Sequence, residues 1–146
     1  ELEKELQDFK ERFYYIAAEK ENSLKRFERE KENLIKFGNE KVLSSLLAVV
    51  DNLDLTLNAI KDETDEKIKN IFVGIEMVNQ QFSEALKANG LEVIKSVGEK
   101  FDPNLHEALM QKESEDDSEG TVLEEVQRGY ILNGRVLRAA KVIISK

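Results

Sequence analysis

The chain has 146 residues, 36% of them charged and only 7% aromatic, so it holds too little apolar material for one large core and suits an elongated helix with a small attached domain. Its net charge of −8 argues against nucleic acid as a partner, because that affinity rests on clustered Lys and Arg neutralising phosphates. The absence of cysteine removes disulfides and thiolate metal sites and makes a reducing cytoplasm the natural compartment. No apolar run approaches the roughly eighteen residues of a membrane span, so no membrane partner is expected. The chain begins at Glu1 rather than Met, and a further N-terminal segment ahead of it is expected.

From Glu1 to Ile60 there is no proline and a single glycine, Gly38, and apolar residues recur every third or fourth position, which predicts helix. Helix over that whole length would reach roughly 90 Å, beyond a compact domain of this mass, so an elongated oligomer is expected. Leu2, Leu6, Phe9, Phe13 and Ile16 alternate steps of four and three, the spacing of a seam that meets another helix. The same register continues through Lys20, Ser23, Phe27, Glu30, Leu34 and Phe37, and its polar members Lys20, Ser23 and Glu30 predict a marginal coiled coil. An ordinary solvated helix with imperfect packing fits the same pattern.

Gly38-Asn39 interrupts the stripe, which resumes more broadly with Val42, Leu43, Leu46, Leu47, Val50, Leu53, Leu57 and Ile60. The polar stretch 61–66 reads as a turn, with Thr64 as the cap of the next helix. That helix carries Ile68, Ile71, Phe72, Ile75, Val78, Phe82 and Leu86 on one face and stops at Asn89-Gly90, where Gly90 suits the left-handed C′ position. A two-helix hairpin of this length needs a partner, and two hairpins across a two-fold axis give a four-helix bundle. The expected dimer interface therefore comprises Leu6, Phe9, Phe13, Ile16 and Phe27 on the first helix, with Leu46, Leu47, Val50, Leu53, Ile75 and Phe82 in the bundle.

After Gly90 the texture changes to short β-branched runs: Leu91–Ile94, Leu109–Gln111, Thr121–Val126, Gly129–Leu132, Val136-Leu137 and Val142–Ile144. These predict a small β-domain. Asn133-Gly134 is a strong two-residue hairpin signal, Glu113 to Glu119 reads as an acidic loop, and Asp102-Pro103 marks a turn at the single proline. The fold class is thus α+β, with residues 1–40 a dimerising helix, 41–90 a helical hairpin and 91–146 the β-domain.

The chain lacks the glycine-rich phosphate loops of nucleotide sites. Its one histidine, His106, precedes Glu107, but position 110 is Met, so the second His of a zinc-protease helix is missing. No Ser or Cys nucleophile finds a companion base. A structural His106 ordering the Asp102-Pro103 turn is favoured over an enzyme acting through His106 and Glu107, and no cofactor or catalytic residue is expected. Lys25, Arg26 and Arg29 cluster on the first helix, where Glu21, Glu28 and Glu30 offer pairs. Arg135 and Arg138 flank the β-hairpin and could present planar donors to a partner's carboxylates, or stand as exposed strand cations.

Five motifs in order carry a resemblance: Ala18-Glu19-x-x-Asn22-x-x-Lys25-Arg26, Leu46-Leu47-x-Val49-x-Asp51-Asn52-Leu53, Gly74-x-Glu76, Phe101-Asp102-Pro103-x-x-His106-Glu107-Ala108, and the most specific, Gln127-Arg128-Gly129-Tyr130-x-Leu132-Asn133-Gly134-Arg135-Val136-Leu137-Arg138-x-Ala140-x-Val142. Over nearly its whole length the chain resembles the GrpE family, nucleotide exchange factors of DnaK-type chaperones; Thr56 and Asn58 depart from that family's commoner alanine and acidic residue. The resemblance implies a parallel homodimer of paired long helices, a four-helix bundle and two β-domains, one of which touches the chaperone's ATPase domain. It implies a cytoplasmic, non-enzymatic co-chaperone of the heat-shock response that opens the nucleotide cleft and speeds ADP release, with unfolded polypeptide as a further partner and a long helix that loosens on heating. Carried over by position, the ATPase contacts are Arg135, Phe101, Pro103, Ile144, Lys25, Arg26 and Asn58, and Gly74 permits close packing near the β-domain. The rival reading is a coiled-coil adaptor whose β-domain binds another protein.

Overall fold

The computed structural model describes residues 1–114 and 118–146 and divides into two compact units, Glu1–Gly38 and Asn39–Lys146. The acidic loop expected over Glu113 to Glu119 falls in part on residues 115–117, outside the described ones.

The first unit is one helix, α1 (Leu2–Phe37), with no buried residue. Local terms favour it: Arg12 pairs with Asp8 at 2.8 Å, Lys25 with Glu21 at 2.7 Å and Arg26 with Glu30 at 4.0 Å, each one helical turn apart. The Lys25 hydrogen bond and charge hold the Glu21 carboxyl below its usual value. Such fully exposed pairs are weak, too little to account for a helix of 36 residues that leaves Phe9 69% and Phe13 61% exposed. Helices of this kind draw most of their stability from packing of the apolar face.

The second unit opens with α2 (Glu40–Ile60) and α3 (Glu66–Ala88), which pack as a hairpin. The turn falls where the polar stretch places it, but Asp65 and not Thr64 is the cap: its carboxylate accepts from the Lys67 N–H at 2.8 Å and the Ile68 N–H at 3.2 Å. Asp is the stronger choice here because its charge also meets the positive end of the helix. At the far end the Asn89 and Gly90 amides return to the Leu86 and Lys87 carbonyls, and Gly90 has φ 88°. The expected C′ glycine is in place.

Among the described residues six short strands follow: β1 (Leu91–Val93), β2 (His106–Lys112), β3 (Val122–Gln127), β4 (Tyr130–Leu132), β5 (Arg135–Arg138) and β6 (Ala140–Ser145). They form two three-stranded sheets, β1-β4-β5 and β2-β6-β3. The first is antiparallel and turns at Asn133 (φ 46°) and Gly134 (φ 86°), the pair of positive angles that a two-residue hairpin of this hand requires. The second is mixed. β6 lies between β3, antiparallel, and β2, parallel in the register His106↔Ala140 to Lys112↔Ser145, a pairing that strand propensity does not reveal. Val122, Ala140, Val142 and Ile144 make its buried face, with Phe101 packed against them.

Two further sequence expectations are corrected. One eighteen-residue window within the helical stretch Leu2–Ile60 is long and apolar enough to cross a membrane by length and composition. Its α2 part buries Leu43, Leu47 and Val50 within the second unit and carries Asp51 and Asp54, both partly buried and paired there, which is how a core helix is built. Gly74 is no close-approach glycine within this chain, since a Cβ there meets nothing within 4 Å. That role belongs to Gly129, where a Cβ would run into the Ala140 backbone and the Ile94 side chain.

Gly129→Ala should therefore lower the stability of the second unit by about 1–3 kcal/mol, because backbone atoms cannot retreat as a flexible side chain can. Gly74→Ala should be neutral or stabilising by up to about 1 kcal/mol. Urea denaturation followed by circular dichroism distinguishes them, and equal midpoints for the two variants would refute the packing argument.

Candidate functional site

Asp51 and Asp54 stand three apart on α2, on the side where β3, β4 and β5 approach. Arg138, at the end of β5, grips the Asp51 carboxylate with both terminal nitrogens, at 2.7 and 2.8 Å, and its remaining donors reach the Arg128 carbonyl at 2.7 and 3.1 Å. Gln127 donates to the same carboxylate at 2.8 Å, Arg128 pairs with Asp54 at 3.3 Å, and Asn79 of α3 donates to Asp54 at 3.0 Å. The Arg138 guanidinium also lies over the Tyr130 ring, 5.4 Å from its centre. Burial raises the Tyr130 hydroxyl's pKa, with Asp54 and Asp51 adding to the rise and Arg128 and Arg138 opposing it. Two acids of one helix and two arginines of the β-domain thus join the sheet to the hairpin.

Asp51 is pulled two ways. Burial alone would raise its pKa; hydrogen bonds from Arg138 and Gln127, with the charges of Arg138 and Arg128, outweigh burial and hold it below the ordinary 3.8. Sequence reading placed Asp51 in a motif and Arg138 beside a hairpin without joining them. The available signal was an acidic pair inside an otherwise apolar helix stripe, a pattern that asks for a buried partner.

Arg135, at the start of β5, is the exposed counterpart. Its terminal nitrogen donates to the Glu40 carboxylate at the beginning of α2, and the two side chains are 52% and 41% exposed. The carboxylates that the sequence assigns to a partner are thus, for both arginines, matched within the chain itself.

Phe101 and Pro103 belong to a tight turn built around His106. The Asp102 N–H donates to His106 Nδ1 at 3.0 Å, the His106 N–H returns to the Asp102 carbonyl at 2.8 Å, and the Asp102 carboxylate accepts from the Asn104 N–H at 2.8 Å. An accepting Nδ1 places the proton of the neutral ring on Nε2. His106 is buried, and the structural role expected for it is what the turn displays. Phe101 is half-buried, its ring 6.0 Å from the imidazole, while Pro103 is exposed.

The other expected contact residues divide. Asn58 is exposed on α2 and lines an open groove of about 1170 Å³ between the hairpin and β3, with Leu55, Phe72, Leu109 and Leu123 among its walls. Lys25 and Arg26 are exposed on α1 and engaged with Glu21 and Glu30. Ile144 does not fit a contact surface: it is 7% exposed and belongs to the sheet core, because it alternates inward with Val142 and Ala140 along β6. Leu47 and Val50 are likewise 2% and 0% exposed within one chain, so they are core and not dimer surface. Leu46, Leu53, Ile75 and Phe82 are half-buried, whereas Leu6, Phe9, Phe13, Ile16 and Phe27 are fully on the surface.

Since the Asp51 carboxyl titrates lower in the folded chain than in the unfolded one, its contribution is complete above the ordinary carboxylate range and disappears as pH falls through the folded value. Asp51→Asn should reduce the neutral-pH stability of the second unit by about 1–3 kcal/mol, leaving Arg138 without its counter-ion, and should flatten the loss of stability between pH 5 and the acid limit. Denaturation midpoints across that range test this, and an unchanged acid slope in the variant would sink it.

A family model described as GrpE matches residues 1–146. Among curated relatives, Protein GrpE of Dichelobacter nodosus is 44% identical over 146 residues, covering all of this chain and 78% of that protein. Protein GrpE of Francisella philomiragia is 43% identical, covering all of this chain and 75% of the relative, and that of Geobacillus kaustophilus is 43% identical, covering all of this chain and 68% of the relative. With a family model spanning every residue and whole-chain identities above 40%, the chain belongs to the GrpE family, a membership that supports a co-chaperone role beside a DnaK-type chaperone.

Proposed function

We propose that this protein is a nucleotide exchange factor that acts as a homodimer on the ATPase domain of a DnaK-type chaperone in the cytoplasm. The observation that carries the reading is the family match over the whole chain, joined to an exposed arginine and an exposed turn on the β-domain. Arg135 is the principal contact, offering a planar fork suited to a carboxylate; Phe101 and Pro103 present an apolar turn held rigid by His106. Lys25 and Arg26 of α1 and Asn58 of α2 supply further contacts. The residues 91–146 act as the ATPase-binding domain.

Exchange on this reading is linkage and not catalysis. A factor that binds the open-cleft conformation better than the closed one lowers nucleotide affinity, and nucleotide in turn weakens the factor. It requires a rigid surface of the right shape, and neither a nucleotide site nor a reactive group on the factor.

Dimerisation answers the exposed stripe of α1. Leu6, Phe9, Phe13, Ile16 and Phe27 pair in parallel with their copies along residues 1–40, and Leu46, Leu53, Ile75 and Phe82 of residues 41–90 meet theirs across a four-helix bundle. The polar seam positions Lys20, Ser23 and Glu30 make the paired helix the first part to loosen on heating, which would lower exchange during heat shock. Unfolded polypeptide is a further ligand on this reading.

Stopped-flow release of a fluorescent ADP analogue from a DnaK-type ATPase should accelerate when this protein is added; no acceleration defeats the proposal. Arg135→Ala should slow the stimulated rate about tenfold at limiting concentration, with sedimentation still reporting dimers. Circular dichroism should show a reversible helical transition below the unfolding of the β-domain, and a single cooperative melt would count against the thermal role.

A further inference from the structure

We propose that Glu40 is an internal competitor for Arg135, occupying in the free protein the place that a partner's carboxylate takes in the complex and so setting the affinity of the exchange surface. This rests on the reading of Arg135 as an ATPase contact and adds a residue that the reading does not contain.

The two arginines of β5 make the case by contrast. Arg138 is locked: its carboxylate partner Asp51 is also held by Gln127, its other donors are taken by the Arg128 carbonyl, and both side chains of the pair are three-quarters covered. The Arg135–Glu40 pair is open to water on both sides, 52% and 41% exposed, so another carboxylate can reach the guanidinium without disturbing the core. The pair joins residues 95 apart in sequence and is thus a tertiary placement, not an incidental neighbour on one helix.

Releasing Glu40 is inexpensive. It is the first residue of α2, where the positive end of the helix favours a carboxylate even without its arginine. Exposed ion pairs are weak and exchange readily with solvent. The guanidinium meanwhile matches any carboxylate by geometry. An acidic group on the partner therefore displaces Glu40 against a modest opposing term, and the size of that term is a built-in limit on affinity. An exchange factor that must leave when nucleotide rebinds benefits from such a limit.

The test is calorimetric titration of the nucleotide-free ATPase domain of a DnaK-type chaperone with the full chain, in four forms: unaltered, Glu40→Gln, Arg135→Ala and the double variant. Glu40→Gln should bind about two- to five-fold tighter, the range that an exposed pair allows, and should have no effect once Arg135 is alanine. Weaker or unchanged binding of Glu40→Gln overturns the proposal, as does an equal gain with and without Arg135, which would mark a general charge effect on approach. If Arg135→Ala alone leaves affinity unaltered, Arg135 is not an ATPase contact, and the underlying reading fails separately from the competition.

Discussion

The attachment of the β-domain to the helical hairpin turns on one carboxylate. Asp51 sits on α2 beside buried Leu47 and Val50, and it receives three side-chain hydrogen bonds from residues of β3 and β5. A partly buried ion pair can be matched in net worth by an apolar pair, but breaking it on one side is expensive. Its value lies in direction. Apolar faces slide over one another at little cost, whereas a bidentate Arg–carboxylate pair admits a single register, so Arg138 fixes where β5, and with it Arg135, lies along α2.

How far the sequence discloses this depends on the range of each interaction. Local chemistry was readable: the left-handed Gly90, the Asn133-Gly134 hairpin and the six strands all follow from short windows. The exchange of Thr64 for Asp65 as helix cap is a one-residue displacement between two competent side chains. Long-range pairing was not readable, because nothing in strand propensity tells β6 to run parallel to β2, or Arg138 to choose an acid 87 residues earlier. Ile144 shows the same limit from the other side: its place among the contacts that the resemblance implies gives no hint that alternation along β6 turns it inward.

The candidate site was legible in its residues more than in its state. Arg135 and Arg138 carry the same chemistry in sequence, two arginines at the ends of one short strand. In the structure one is a covered fastening and the other an exposed, exchangeable contact. The difference comes from their surroundings: Asp51 lies amid a covered network and Glu40 at an exposed helix start. Periodicity finds the helix that carries both acids, yet only packing separates their roles.

The central place of β6 also governs the order in which the molecule can be made. Because β6 runs between β2 and β3, neither flanking strand has its partner until Ala140–Ser145 has left the ribosome, and the apolar face of Val122 and Phe101 waits uncovered through that interval. The β1-β4-β5 sheet needs nothing beyond Arg138 and closes earlier. Synthesis therefore builds a hairpin with one sheet attached before the second sheet exists, and loss of Ala140–Ser145 would remove the middle of that sheet and not merely trim its edge.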